Sequence, residues 1–238
     1  SAQSSRVGTT KACSPRSKLA CQSQPLLWAD PLSLPTQDRR ATLLHYNAGI
    51  WQGTFIRLDG SGREVERFGS HLEVADRDGT IHADLTNTSS GKVRSMQFVE
   101  PPAEMQISPE GHWTLGPDRI GPWPWVCELC LTWGDQRRRI VVRHNTTGLE
   151  SLVLVCEGRT GAEPVAPAAP LLLSPSSAGS HQQRWQLEQH PAVWAITMAS
   201  RLPAQPEAVS LHWQPQPGIA LVLKRGYSEH GLLLSATG

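Results

Sequence analysis

The stretch Gly49-Ile-Trp-Gln-Gly-Thr-Phe-Ile-Arg-Leu-Asp-Gly-Ser-Gly62 decides the fold. From Ile50 to Leu58 most residues are β-branched, aromatic or aliphatic, which suits a pleated, half-buried surface. Asp59-Gly-Ser-Gly62 then supplies the residue types that reverse a chain, so the pattern predicts a strand, a turn and a return strand over residues 63–70. Upstream, a short helix is expected, with Thr36 able to cap it, Asp38 in its first turn, and Leu43, Leu44 and Asn47 leading to Gly49 as a stop. Downstream, turn chemistry recurs at residues 76–79, 87–91 and 145–148. Between the turns Ile81, Ala83 and Leu85 alternate with His82, Asp84 and Thr86, as a strand with one wet face requires. Strands joined by short turns form an antiparallel meander, and a long meander removes its edges by closing into a barrel.

The bulk properties agree with a globular all-β protein and exclude several classes. With 238 residues, 39% of them hydrophobic, the chain can bury one large core or two small ones. A net charge of +1 gives no basic excess for nucleic acid. No apolar run approaches the roughly 20 residues of a membrane-spanning helix. Nine Trp exceed three Phe and two Tyr together; such rings fill barrels and line ligand cavities equally well. Five irregularly spaced Cys do not make a disulfide scaffold.

Composition divides the chain into four parts. Residues 1–35 form a disordered or transit-like segment, since the first 28 carry Arg6, Lys11, Arg16 and Lys18 with no acidic residue. Residues 36–160 form the first barrel. Residues 161–182, with Pro164, Pro167, Pro170 and Pro175 among Ala and Ser, read as a linker. Residues 183–238 look like a partial echo: Trp194 and Trp213 bracket a segment much as Trp113 and Trp133 do, and each is followed by a polar turn and two apolar strands ending at 152–155 or 232–234. We read this as a second, related β-domain, degenerate or truncated.

Gly49-Ile50-Trp51 has the Gly-x-Trp form that opens the first strand of lipocalin-like barrels after a short helix. Together with Trp51-Gln-Gly-Thr-Phe55, Glu128 in a late strand, the Arg137-Arg138-Arg139 cluster and the ending Glu157-Gly158-Arg159, it resembles an uncharacterised lipocalin-like (calycin) family of cyanobacteria and photosynthetic eukaryotes. The resemblance covers residues 36–160 and, loosely, 183–238. It implies an antiparallel barrel whose end is closed by Gly49, Trp51 and Arg159, with the Arg159 guanidinium over the Trp51 indole. It also implies a photosynthetic setting, in a chloroplast or in cyanobacterial cytoplasm. It implies no reaction.

Few residues suggest chemistry of their own. Cys127-Glu-Leu-Cys130 lies in a run that reads as a strand, where positions three apart face opposite ways, so the two thiols should not converge on a metal or a disulfide. The same run puts Trp125, Cys127, Leu129, Leu131 and Trp133 on one face and Val126, Glu128, Cys130 and Thr132 on the other. If the apolar set faces outward it must pack under the second domain, and Glu128 then faces the lumen with an arginine such as Arg57 or Arg139. Arg137–Arg139 could hold an anion; a solvated strand start is the simpler reading. Neither a metal-ligand cluster nor a nucleophile, phosphate-loop or dinucleotide signature is present.

The expected function is non-catalytic binding or carriage of a small hydrophobic or amphipathic ligand, such as a lipid, a bilin or another pigment. Candidate lumen residues are Phe55, Phe98, Trp113, Trp123 and Trp125, with Arg57 and Glu128 orienting a polar group. No cofactor is called for. Two other readings stay open: a structural or assembly protein with filled barrels and a protein partner, and a chromophore-handling lyase or isomerase.

Overall fold

The computed structural model describes residues 38–200 and 204–236. The transit-like segment and the Thr36 cap lie outside the described residues. Among the described residues one helix, α1 (Arg39–Asn47), precedes fourteen strands. Its N-cap is Asp38, whose carboxylate accepts the Ala41 N–H at 2.9 Å and satisfies one of the first-turn donors that a helix leaves unpaired.

Nine strands form one antiparallel sheet: β1 (Gly49–Asp59), β2 (Glu64–Arg77), β3 (Thr80–Asn87), β4 (Val93–Phe98), β5 (Gln106–Ile107), β6 (Trp113–Leu115), β7 (Trp125–Trp133), β8 (Gln136–His144) and β9 (Leu149–Arg159). Their order is β4-β3-β2-β1-β9-β8-β7-β6-β5. Local chemistry makes the reversals. The Asp59 carboxylate accepts from the Ser61 and Arg63 N–H groups, and the Asn145 side chain does the same for Thr147 and Gly148. Asp78 and Gly79 both have positive φ, 52° and 81°, as the tight Asp-Gly hairpin between β2 and β3 requires.

The sheet is strongly curled into a half-barrel but does not close. This corrects the expectation of a sealed cylinder: β4 and β5 are its two edges. The connecting residues 99–105 contain Pro101 and Pro102, which lack the N–H groups a ladder needs, and β5 is two residues long. Helix α1 tethers this segment instead. Arg40 donates to the Val99 carbonyl at 3.0 Å, and Arg39 donates to the carbonyls of Pro102 and Met105.

The other strands are β10 (Ser176–Ser177), β11 (Gln182–Glu188), β12 (Ala192–Met198), β13 (Glu207–Gln214) and β14 (Leu221–Tyr227), ordered consecutively in a second antiparallel sheet. The strand expected at 232–234 does not form; Leu232 and Leu233 make isolated bridges to Arg119 and Tyr227. One hydrophobic core joins the two sheets. Ile56, Leu58, Cys127, Leu129, Leu131, Ile140, Val142, Leu152 and Leu154 from β1, β7, β8 and β9 pack with Trp185, Leu187, Val193, Ala195, Leu211, Trp213 and Tyr227. The apolar face of β7 therefore points outward, under the second sheet, and Glu128 points the other way. The proline-rich segment is pinned as it passes: Glu64 N–H donates to Leu171 O and Leu173 N–H to Gly62 O, each at 2.9 Å.

Candidate ligand-binding lumen

The concave face of the nine-stranded sheet is built largely by alternation along each strand. On β1, Trp51, Phe55 and Arg57 face inward while Ile56 and Leu58 face the core between the sheets. On β3 the inward set is Ile81, Ala83 and Leu85, and on β4 it is Arg94, Met96 and Phe98.

The floor is sealed at the α1 end. Trp51 is fully buried and donates its indole N–H to Asn47 O at 2.9 Å. The Arg159 guanidinium carbon lies 4.4 Å from the Trp51 ring centre, and that of Arg137 lies 4.1 Å from it. Each such contact contributes about 0.5–2 kcal/mol according to its desolvation. Arg159 also donates to Ala48 O at 2.7 Å, which fixes it against Gly49. Gly49, Trp51 and Arg159 lie together at this end of the sheet, and Arg137, at the same ring, was not foreseen.

Above this floor is a cavity of about 340 Å³, lined mainly by apolar side chains including Leu43, Leu72, Val74, Phe98, Met105 and Trp113. A second lobe of about 360 Å³ lies toward the opposite end, lined by Arg57, Glu66, Lys92, Arg94 and Arg143. Phe55, Leu85, Arg94 and Val141 border both lobes, which lie side by side along the concave face.

A network of buried charge walls the inner lobe. Arg137 Nε donates to Glu157 Oε2 at 2.6 Å, and Arg139 Nε lies 3.2 Å from Glu128 Oε1 and 3.5 Å from Glu157 Oε2. Burial opposes ionisation of Glu157, but the Arg137 and Arg139 guanidinium groups outweigh it and hold its carboxyl below the usual range. Burial likewise works against the charge on Arg139, and Glu128 and Glu157 more than offset it, leaving its pKa above the ordinary value. The network is charge-balanced yet incompletely hydrogen-bonded. Glu128 Oε1, Glu157 Oε1 and Arg137 Nη2 are buried without hydrogen-bond partners in the protein; the Arg139–Glu128 contact is close but poorly aligned. Unmet polar groups beside an apolar space are what a partly polar guest would satisfy.

The sequence-based candidates divide. Phe55, Phe98, Trp113 and Glu128 line the inner lobe, and Arg57 lines the outer one beside Glu66, 3.2 Å away. Arg139, not Arg57, is the arginine that meets Glu128. Trp125 falls outside the lumen because it has the parity of Cys127; it stacks on His144, centroids 4.3 Å apart, at the edge of the intersheet core. Trp123 precedes β7 in a loop and is 44% exposed. Arg137, Arg138 and Arg139 do not form a solvated strand start. All three are buried, Arg137 and Arg139 inward and Arg138 outward, where it binds Glu188 of β11. Cys127 and Cys130 are free thiols on opposite faces of β7. Met96 and Arg94 were missed, although stepping back by two from Phe98 along β4 would have found them. Among the described residues no His, Cys, Asp and Glu group is placed to hold a metal ion, and no helix is long and apolar enough to cross a membrane.

The chain is similar in fold to a protein of unknown function from the DUF3598 family, from the cyanobacterium Nostoc punctiforme. Its crystal structure matches with a TM-score of 0.66 and 16% identity, over 81% of this chain and 94% of that one. No protein-family model and no curated protein matches the sequence.

Proposed function

We propose that this protein is a lipocalin-like (calycin) carrier that holds a small hydrophobic or amphipathic molecule, a lipid, bilin or other pigment, in its curled sheet without transforming it. The observation that carries this reading is the contrast between the two faces of one sheet. The convex face is filled by the second sheet, whereas the concave face keeps about 340 Å³ open, lined in part by Glu128 and Arg137, each with a buried polar atom that lacks a hydrogen bond. That volume is in the range of small-molecule sites, about 300–1,000 Å³. The transit-like composition of residues 1–28 supports a chloroplast location, which import of the chain into isolated plastids would test.

Ala83 lines the lumen, so Ala83→Trp places an indole where the guest would sit. Titration calorimetry with decanol should give saturable one-to-one binding to the wild type and at least about tenfold weaker binding to the variant. Absence of saturable binding to the wild type, or equal binding to both proteins, would remove the lumen as the site. Absorption and mass spectra of organic extracts from natively purified protein would then identify the resident molecule.

A further inference from the structure

We infer that the guest is an anionic amphiphile, seated with its apolar part in the inner lobe and its carboxylate or phosphate at the outer lobe. This rests on the lumen-binding reading and adds the chemical class of ligand and the direction of its insertion. Four cations, Arg57, Lys92, Arg94 and Arg143, line the outer lobe with one carboxylate, Glu66. Glu66 is already committed to Arg57. Among the described residues no ion pair joins Lys92, Arg94 or Arg143 to an acidic side chain.

Most of the other described arginines do have an acidic partner, although Arg39 and Arg225 are held by backbone carbonyls and Arg184 by Gln186 and the Trp194 ring. Arg40 pairs with Asp76, Arg63 with Asp59, Arg67 with Glu64 and Arg77 with Glu73, all at 2.7–3.1 Å, while Arg137 and Arg138 hold buried glutamates. With a net charge of only +1 for the whole chain, three unpaired cations at one lobe are a local concentration rather than a general excess. Lys92 and Arg94 are near neighbours at the start of β4, whereas Arg143 comes from the distant β8, and only the curl of the sheet brings the two groups around one space. Like charges gathered around one concave surface raise a positive potential there even where solvent screens them, and an anion relieves their repulsion.

The inner lobe fixes the direction. Its wall sets Arg137 and Arg139 against Glu128 and the buried Glu157, so Arg94 at its border with the outer lobe is its one cation in excess, where the outer lobe has four cations to one carboxylate. Of its lining residues, Glu128 has an acceptor, Oε1, and Arg137 a donor, Nη2, without a hydrogen bond, which suits a neutral group able both to donate and to accept. Arg94 borders both lobes and stands where the apolar part of a guest would give way to its charged end.

The test compares ten-carbon probes on the full chain at low salt by titration calorimetry: decanol, decanoate, decyl phosphate and decylammonium. Decanoate or decyl phosphate should bind at least about tenfold more tightly than decanol, the gain expected of one charge-assisted contact, and decylammonium more weakly. The order of the two anions tells a carboxylate guest from a phosphate one. In Lys92→Gln/Arg94→Gln/Arg143→Gln, three exposed positions, the ratio of anion to decanol affinity should fall to within about threefold. Equal affinities for decanol and both anions, or an anionic preference that survives in the triple variant, would overturn the inference and leave lumen binding standing. Binding of no probe at all would overturn both.

Discussion

At Gly49 two constraints meet that no side chain can satisfy. Its φ is 115°, and an added Cβ would lie 2.4 Å from the Arg159 guanidinium, which is itself held by Ala48 O and the Trp51 ring. Gly49→Ala should therefore destabilise the protein by about 1–3 kcal/mol, the usual cost of a strained backbone, read as a lower denaturation midpoint. His144 is a second residue with a measurable signature. Buried against Trp125, its imidazole is pushed down to about 4 by desolvation. Between about pH 6.5 and pH 4 the unfolded chain binds a proton there that the folded chain refuses, so stability is lost as pH falls through that window, by at most about 3 kcal/mol. His144→Phe keeps the ring stack and should flatten the wild-type difference in stability between pH 7 and pH 5; an unchanged difference would assign the loss to other groups. The Trp51–Arg159 contact was legible only through the resemblance that Gly49-Ile50-Trp51 carries, which implies a late arginine over this ring. The second guanidinium on Trp51 was not, because burial of Arg137 depends on Glu157, whose approach is set by the β8–β9 register rather than by anything near position 137.

Strand β8 shows the same lesson at the scale of an element. An alternation rule applied to Arg137-Arg138-Arg139 gives the directions correctly, inward, outward, inward, but charge suggests solvent for all three. What reverses that is a carboxylate waiting on each side: Glu157 and Glu128 in the lumen, Glu188 of β11 across the intersheet core. Burial raises the Glu188 pKa despite the opposing pull of Arg138, so this pair is held in a costly environment. Arg138→Met alone should cost about 3–5 kcal/mol, because Glu188 is left buried without its counter-charge, although protonation of Glu188 draws the loss toward the low end at acid pH. The double variant Arg138→Met/Glu188→Met should recover most of that loss, and a double-mutant cycle in denaturant measures the coupling. Had β8 been a solvated start, neither change would move the midpoint by more than about 0.5 kcal/mol. The parity of β7 was equally readable, but which face was the inner one was not, since that choice belongs to the second sheet and not to the strand. The failure of β4 and β5 to join was written in Pro101-Pro102, and a count of strands alone passes over it.

For the whole molecule, the decisive fact is that the nine-stranded sheet uses both faces for different ends. Trp213, on β13, packs into the core between the sheets, and the Arg138 guanidinium of β8 lies 5.1 Å from its ring. A residue near the end of the chain thus supports the outer wall of a lumen whose inner wall is made by residues 49–159. If that shared core governs folding, the two sheets unfold together, since neither can expose its half without exposing the other's. Trp213→Ala then lowers the stability of the entire assembly by about 3–5 kcal/mol, the loss typical of a deleted buried indole. The measurement is unfolding followed by two signals: far-ultraviolet circular dichroism, which reports both sheets, and decanol affinity, which reports the lumen alone. Both should shift together in one transition. Two separated transitions, with the lumen retained after the Trp213 sheet has melted, would mean that residues 38–160 stand as a domain of their own and that the second sheet is an addition to the carrier rather than half of its frame.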